Sequence, residues 1–208
     1  YVALSHVWSD GLGNEDGNSM PCCQLKRVQQ AVNNLRAQSS QEKNPPSPWF
    51  WIDTLCVPNA ARYEALNART VERMKEIYVN ADAVLVIDSE VAACQKTAGP
   101  SEILARIRLS NWLRRLWTLQ EGYFANSIHF LVETITVSLA QILNAASSPG
   151  SPAQLTDARS NAASDAAVAP AARQIAASSA GSGMSSNGAI RVRWPSSLVT
   201  RMPNCSAL

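Results

Sequence analysis

Ala83-Val84-Leu85-Val86-Ile87-Asp88 is the stretch that decides the fold. Its apolar residues follow one another without polar alternation, and valine and isoleucine favour a strand. Continuous apolar character indicates burial on both faces, as in a parallel sheet covered by helices. We therefore expect this stretch to be a buried strand of a parallel sheet.

Outward from this stretch, apolar runs and helical periodicity alternate along the chain. Leu25, Val28, Val32 and Leu35 recur at the spacing of an amphipathic helix. Further strands are predicted at residues 1–8, 49–57 and 127–132. Helices are predicted at residues 24–37, 60–80, from 99–101 onward, from Ser110 to Glu121 with an end at Gly122, and at 139–146.

The alternation of strands and helices predicts an α/β fold, with a parallel sheet and helices on both faces. Right-handed crossovers leave few topologies, and we expect the flavodoxin-like strand order 2-1-3-4. Ligands of such sheets bind beyond the carboxyl ends of the strands. That edge is predicted to contain residues 8–11, 53–58 and 88–90.

The composition divides the chain of 208 residues into two parts. Residues 1–146 contain the predicted strands and helices and are expected to form one domain. Residues 147–208 are rich in Ala and Ser and poor in large apolar side chains. Such a segment buries too little surface to offset its ordering entropy, so we predict a low-complexity, disordered tail.

Charge, hydropathy and cysteine content narrow the classes of function. A net charge of +2 does not favour binding to nucleic acid or to an anionic membrane. No apolar run is long enough to span a bilayer. The five cysteines are odd in number and have no C-x-x-C spacing, so neither a disulfide framework nor a metal site is expected. A reducing, intracellular compartment fits this pattern.

The segment that ends at Glu121 carries the main candidate for catalysis. Leu113, Leu116, Trp117 and Gln120 lie at i, i+3, i+4 and i+7, which predicts that they form the buried stripe of a helix. Glu121 falls near the C-terminal end, where the helix dipole disfavours a carboxylate. It is therefore either a solvated surface residue or a member of a polar crevice.

Four successive motifs resemble those of the fungal heterokaryon incompatibility (HET) domain. They are Tyr1-Val2-Ala3-Leu4-Ser5-His6-Val7-Trp8, Phe50-Trp51-Ile52-Asp53-Thr54-Leu55-Cys56-Val57-Pro58, Met74-Lys75-Glu76-Ile77-Tyr78, and Trp112-Leu113-Arg114-Arg115-Leu116-Trp117-Thr118-Leu119-Gln120-Glu121. The resemblance implies a cytoplasmic fungal protein that acts in non-self recognition and programmed cell death. It also implies signalling through self-association and through contacts with other incompatibility proteins.

HET domains are in turn distantly similar to Toll/interleukin-1 receptor (TIR) domains, some of which cleave NAD with a glutamate. In plant TIR domains this glutamate lies in a Trp-Cys-Leu-x-Glu run. Trp117-Thr118-Leu119-Gln120-Glu121 has the same spacing, with Thr in place of Cys. The resemblance makes Glu121 the candidate catalytic residue, with NAD as a substrate and no cofactor required.

Five further residues are candidates for binding such a substrate. Trp8 would stack on a ring, Ser9 would meet phosphate, and Asp10 and Asp53 would line the crevice. Arg115, in a basic cluster with Arg106, Arg108 and Arg114, would bind a phosphate or an acidic partner. Each has a structural alternative: a core tryptophan, a flexible rim, a capped turn, or a solvated basic face.

Two other readings of the residues remain open. Cys56 and His6 would form a nucleophilic pair only within hydrogen-bond reach of each other, and a buried structural cysteine is the alternative. The chain is also compatible with an inactive fragment of a HET protein, since Tyr1 already lies in a predicted strand. The leading hypotheses are thus a self-associating signalling domain, an NAD glycohydrolase, and an inactive fragment.

Overall fold

The structure is a computed structural model that describes residues 1–14, 17–39 and 49–147. Within these ranges the elements form one α/β domain. The predicted disordered tail, apart from Ser147, lies outside the described residues.

A mixed sheet forms the centre of the described part. Its strands are β1 (Val2–His6), β2 (Phe50–Trp51), β3 (Ala83–Ile87), β4 (Ile128–Val132) and β5 (Ile135–Ser138). The spatial order is β2-β1-β3-β4-β5, and only β5 runs antiparallel to its neighbour. The predicted order 2-1-3-4 is therefore confirmed for the first four strands, and β3 is the buried strand that its apolar run predicts.

The α-helices of the described part lie between the strands along the chain and after the last strand. They are α1 (Cys22–Ser39), α2 (Asp53–Cys56), α3 (Glu64–Glu72), α4 (Met74–Asn80), α5 (Ser89–Ala92), α6 (Pro100–Leu109), α7 (Asn111–Arg114), α8 (Leu116–Phe124) and α9 (Leu139–Ser147).

Two apolar clusters bury the two faces of the sheet. On one face, Val28 and Val32 of α1 join Leu4 of β1 and Leu85 of β3. The other face is covered by side chains of α4, α6, α7 and α9, among them Ile77, Ile107, Trp112 and Ile142, which cluster with the alternate strand residues. Neighbouring strand residues point to opposite faces, so each strand serves both clusters. Helices on both faces of the sheet are thus confirmed.

The predicted second strand at 49–57 is wrong over most of its length. β2 comprises only two residues, and the chain then turns at Asp53 into the short helix α2. The Asp53 carboxylate accepts the N–H of Thr54 at 2.7 Å. A carboxylate in the first helical turn stabilises the free N–H groups there, which explains why the strand ends early.

Two predicted helices are each divided by a single residue. The helix predicted at 60–80 breaks at Arg73, and the one predicted from Ser110 breaks at Arg115, whose φ of −99° and ψ of 133° are extended. The Thr118 hydroxyl donates to the carbonyls of both Trp112 and Arg115. In a continuous helix the Trp112 carbonyl would accept the N–H of Leu116, and here it accepts the Thr118 hydroxyl instead. The Arg115 carbonyl still accepts the N–H of Leu119 at 3.1 Å. The predicted N-cap at Ser110 is confirmed, since its hydroxyl accepts the N–H of Leu113.

The helix that contains Glu121 continues past Gly122, where an end was predicted. A Cβ atom at Gly122 would lie 2.9 Å from the Trp112 ring. The glycine therefore permits close packing of α8 on Trp112 and does not cap the helix. Trp112 is itself held in place by the buried Asp88, which accepts its backbone N–H at 3.0 Å.

The antiparallel strand β5 was not predicted. It follows β4 directly through a turn in which Glu133 has a φ of 52°. The helix predicted after it is present as α9, and Ser138 caps it as expected. The Ser138 hydroxyl accepts the N–H of Gln141, while the Gln141 side chain accepts the N–H of Ser138, which is a capping box.

A search of the described residues for a helix both long enough and apolar enough to span a bilayer finds none.

Candidate functional site

Glu121 is buried, with only 9% of its surface exposed. It lies on the face of α8 that packs inward, together with Thr118 and Gly122. The predicted buried stripe is wrong for this helix, because Leu116 is 71% exposed and Trp117 is 53% exposed. Apolar spacing chose the wrong face because close packing on Trp112 requires the small Gly122 to face inward.

A chain of hydrogen bonds holds the Glu121 carboxylate in place. The indole Nε1–H of Trp112 donates to Ser5 Oγ at 2.6 Å, and the Ser5 hydroxyl donates to Glu121 Oε2. An indole nitrogen can only donate, and a hydroxyl has one proton to give. The single proton of Ser5 is therefore committed to the Glu121 carboxylate.

Burial sets the ionisation of Glu121. It raises the pKa of this carboxyl to about 7, and the charge of Asp53 acts in the same direction. The hydrogen bonds from Ser5 and Tyr78 and the proximity of His6 lower the pKa and so limit the rise. A carboxyl that titrates near neutral pH is suited to acid–base chemistry.

Tyr78 lies beside Glu121 at the centre of the domain. Its hydroxyl donates to the carbonyl of Leu4 at 3.2 Å and lies close enough to interact with Glu121. Burial, followed by the charge of Glu121, holds the pKa of this phenol well above its ordinary value. Tyr78 is therefore a neutral hydrogen-bonding partner.

Glu121 faces an open cleft of about 220 Å³ between α8 and the α3–α4 pair. The lining residues are Val71, Glu72, Met74, Lys75, Tyr78, Trp117, Gln120, Glu121 and Phe124. Lys75 and Trp117 are exposed, whereas Tyr78 and Glu121 are buried. The cleft thus places a buried carboxylate beside the apolar side chains of Val71, Met74 and Phe124 and the charged side chains of Glu72 and Lys75.

A second polar cluster lies at the carboxyl end of β1. Asp53 Oδ1 bonds to His6 Nε2 and Asp53 Oδ2 accepts the indole N–H of Trp8, both at 2.7 Å. Burial would raise the pKa of Asp53, but the hydrogen bonds and charge of His6, with the bonds from Trp8 and Thr54, outweigh it and lower the pKa. His6 Nδ1 is buried and has no hydrogen-bond partner among the described residues.

The candidate substrate-binding residues fall into separate groups. Trp8 and Asp53 are brought together in the second cluster. Asp10 accepts the N–H of Ser89 at 2.8 Å and so links the turn after β1 to the end of β3. Ser9 is exposed in the same turn, and Arg115 is exposed at the start of α8. None of these five side chains lines the Glu121 cleft.

The two residues of the proposed Cys–His pair, Cys56 and His6, have different surroundings. His6 is bonded to Asp53, and Cys56 is packed in the apolar cluster of the opposite face. The described residues contain no group of three or more His, Cys, Asp or Glu side chains arranged to hold a metal ion.

Sequence reasoning missed Ser5, Tyr78 and Lys75 as members of the site. Ser5 is a polar residue that follows three apolar residues in a buried strand, which was a signal for a functional role. Tyr78 and Lys75 gave no such signal, because a tyrosine in an apolar stripe and a lysine on a helix are common.

The fold and the cleft define an α/β domain in which a buried carboxylate lines an open cleft. The family model described as heterokaryon incompatibility protein (HET) matches residues 1–104, which is half of the chain. The chain belongs to this family, and the match supports a role in heterokaryon incompatibility in a fungal setting. Glu121 lies beyond the matched residues. No curated protein and no solved structure matches the chain.

Proposed function

We propose that this HET domain hydrolyses the bond between nicotinamide and ribose in NAD, with Glu121 as the catalytic residue. The observation that carries the proposal is the buried Glu121 carboxylate, held by Ser5 in an open cleft with a pKa of about 7. Strongly perturbed carboxyl groups in clefts are frequent at active sites.

The cleft contains one buried carboxylate, and the leaving group explains why one is enough. Hydrolysis of an ordinary glycoside requires a carboxylic acid to protonate the leaving oxygen and a second carboxylate. In NAD the leaving ring is already a cation. When the C1′–N1 bond breaks, its electron pair neutralises the ring, and nicotinamide leaves without a proton.

Glu121 would then act on the ribose and not on the leaving nicotinamide. Its carboxylate stabilises the positive charge that develops on the ribose, as in glycoside hydrolysis. Water adds to C1′ and loses a proton to Glu121, which passes it to solvent. The products are ADP-ribose, nicotinamide and one proton.

Two further observations support this chemistry. The order β2-β1-β3-β4 is the flavodoxin-like order that TIR domains share. The spacing from Trp117 to Glu121 resembles that of the TIR motif. The strand order and the spacing are both parts of the resemblance to TIR domains on which the enzymatic hypothesis is based.

The test is nicotinamide release from NAD by the full 208-residue chain. Glu121→Gln keeps the size of the side chain and removes its charge, and we expect release to fall by about a hundredfold or more. Glu64→Gln, in the exposed first turn of α3, is the matched control and should keep the wild-type rate. Equal rates for the wild type and Glu121→Gln would refute the role of Glu121.

A separate observation favours self-association as a second function. Leu109 is 68% exposed and Leu116 is 71% exposed, on either side of the short helix α7. Large apolar side chains that are mostly exposed on a folded domain are candidates for protein–protein contacts. We propose that this surface binds a second copy of the chain, and that assembly in the cytoplasm signals non-self recognition and cell death.

Light scattering over a range of protein concentrations tests the assembly. We expect the mass of the wild type to rise with concentration, and Leu116→Glu to remain a monomer. Leu66→Glu, on the exposed surface of α3, is the control for a charge placed elsewhere. A wild-type protein that is monomeric at every concentration would rule out this function.

Expression in fungal cells separates the two functions. If NAD cleavage causes cell death, Glu121→Gln should abolish death while leaving assembly intact. If assembly alone is sufficient, only Leu116→Glu should abolish it. If the wild type neither assembles nor releases nicotinamide, the result favours the third hypothesis, that the chain is an inactive fragment.

A further inference from the structure

Trp117 and Glu121 lie one helical turn apart on α8, and both side chains line the cleft. The indole of Trp117 is 53% exposed at the rim. A half-exposed tryptophan offers a flat apolar face to a planar ring. A ring stacked there would lie next to the carboxylate, which favours a ring with positive charge.

Lys75 contributes a cation to the same cleft. Its ammonium lies 5.1 Å from the centre of the Phe124 ring. Within the described residues it forms no salt bridge with a carboxylate. Its charge is therefore available to an anion, although Glu72 in the same lining opposes an anion.

The size of the cleft limits what it can enclose. At about 220 Å³ it is smaller than the ~300–1,000 Å³ that is typical of sites for drug-sized ligands. A whole dinucleotide does not fit in such a space. One nucleotide, with a cationic ring at one end and a phosphate at the other, matches the charges of the cleft, which is open and need not enclose the whole molecule.

We propose that the cleft binds the nicotinamide mononucleotide half of its substrate, with the pyridinium ring between Trp117 and Glu121 and the 5′-phosphate on Lys75. The inference rests on the proposed function and names the part of NAD that is recognised. The adenosine half lies outside the cleft and adds little to recognition. Nicotinamide mononucleotide itself is then a substrate, and its phosphate is the specificity-determining group.

A two-by-two comparison tests the role of Lys75 in recognising phosphate. Nicotinamide mononucleotide and nicotinamide riboside differ only in the phosphate, and the wild-type 208-residue chain and Lys75→Gln differ only at the proposed anchor. We expect the wild type to cleave the mononucleotide at least tenfold better by kcat/KM. Lys75→Gln should remove most of this preference, because it lowers kcat/KM for the mononucleotide far more than for the riboside.

Two further variants are controls, and each should change the preference for the mononucleotide over the riboside in a different way. Glu72→Gln removes a charge that repels phosphate, so the preference for the mononucleotide should increase. Trp117→Leu removes the stacking surface, so both substrates should be affected equally. An unchanged preference in Lys75→Gln would overturn the proposal.

A binding measurement separates this inference from the hydrolase function. Calorimetry with Glu121→Gln and nicotinamide mononucleotide requires no turnover. If Glu121→Gln binds the mononucleotide and the double variant Glu121→Gln, Lys75→Gln does not, the result supports the inference even if the wild type cleaves nothing. If Glu121-dependent cleavage of NAD occurs but the mononucleotide is neither bound nor cleaved, the hydrolase function stands and this inference fails.

Discussion

At the scale of single residues, the ionisation of Glu121 links stability to pH. Its ordinary pKa is 4.5 and burial raises it to about 7, so between these values the folded chain holds a proton that the unfolded chain releases. The free energy of unfolding therefore falls as pH rises from about 4.5 to 7, by up to roughly 3 kcal/mol at about 1.4 kcal/mol per unit.

Glu121→Gln should remove this dependence on pH. We expect the variant to be more stable than the wild type, by an amount that grows between pH 4.5 and 7 and is constant above. Denaturant unfolding at several pH values measures the difference. A difference that does not change with pH would show that Glu121 titrates at its ordinary value.

Ser5 offers a second prediction at this scale. Ser5→Ala deprives the buried carboxylate of the proton it accepts, and a hydrogen bond to a charged group contributes about 1.5–3 kcal/mol. The pKa of Glu121 should therefore rise by about one to two units. The pH at which NAD cleavage reaches half its maximum should rise with it, and so should the carboxyl titration followed by NMR.

Ser5→Thr keeps a hydroxyl and is the control for this variant. Its titration should remain near that of the wild type. A lower rate in Ser5→Ala at every pH, without a shift of the midpoint, would indicate that Ser5 only supports packing. The NMR titration gives the same answer whether or not the chain cleaves NAD.

The spacing from Trp117 to Glu121 made Glu121 the candidate catalytic residue from the sequence, and that role stays a prediction. Its anchor was not predictable in the same way. Ser5 and Glu121 are 116 positions apart, and no local pattern indicates a contact over that separation. The direction of the Ser5 proton follows only from the position of Trp112.

At the scale of the elements, α8 owes its orientation to Gly122. Gly122→Ala would place a Cβ atom 2.9 Å from the Trp112 ring, which is held through Nε1 by Ser5. Overpacking of this kind costs about 1–3 kcal/mol, against a gain of up to ~1 kcal/mol in helix propensity. We expect a net loss of about 1 kcal/mol in the free energy of unfolding.

Gly17→Ala is the matched control, because a Cβ atom there meets nothing within 4 Å. Its stability should be within about 0.5 kcal/mol of the wild type. Thermal or denaturant unfolding compares the two variants. Equal stabilities would mean that α8 shifts to accommodate the added methyl group.

Periodicity predicted that most of these elements exist but not where they break. Neither Arg73 nor Arg115 is a residue that ends helices by itself. The break at Arg115 is explained by the hydroxyl of Thr118, which bonds to the carbonyl of Trp112 in place of the Leu116 N–H. The exposure of Leu116 and Trp117 follows from the same tertiary packing, so apolar spacing alone misassigned the face.

At the scale of the whole molecule, the carboxylates of Asp53 and Glu121 influence each other although they belong to different elements. The charge of Asp53 raises the pKa of Glu121, although each carboxylate has its own partners. Asp53→Asn should therefore lower the pKa of Glu121, which is the opposite of the shift expected for Ser5→Ala. The carboxyl titration of Glu121 by NMR measures the sign.

Asp53→Asn should also change stability in a different pH range. The pKa of Asp53 is lowered from 3.8, so its contribution is present above that value and is lost as pH falls through the lowered pKa. The variant should be destabilised at neutral pH by about 1–3 kcal/mol. The deficit should shrink in acid, and a deficit independent of pH would contradict this account.

Strand order was predictable because chain alternation and right-handed crossovers leave few arrangements. The antiparallel β5 was not, because Ile135–Ser138 is short and is also the start of a helix signal. Which side chains form the cleft depends on how α8 meets the α3–α4 pair. That contact is set by the packing of many residues and has no signature in any one segment.

Neighbouring positions of β1 serve different carboxylates, since Ser5 bonds to Glu121 and His6 bonds to Asp53. Inserting or deleting one residue in this strand would exchange the directions of the two side chains. Related chains should therefore differ in length in the loops around β1 and never within it. A change at either position also requires a compatible change at its distant carboxylate, so the two pairs should evolve as linked units.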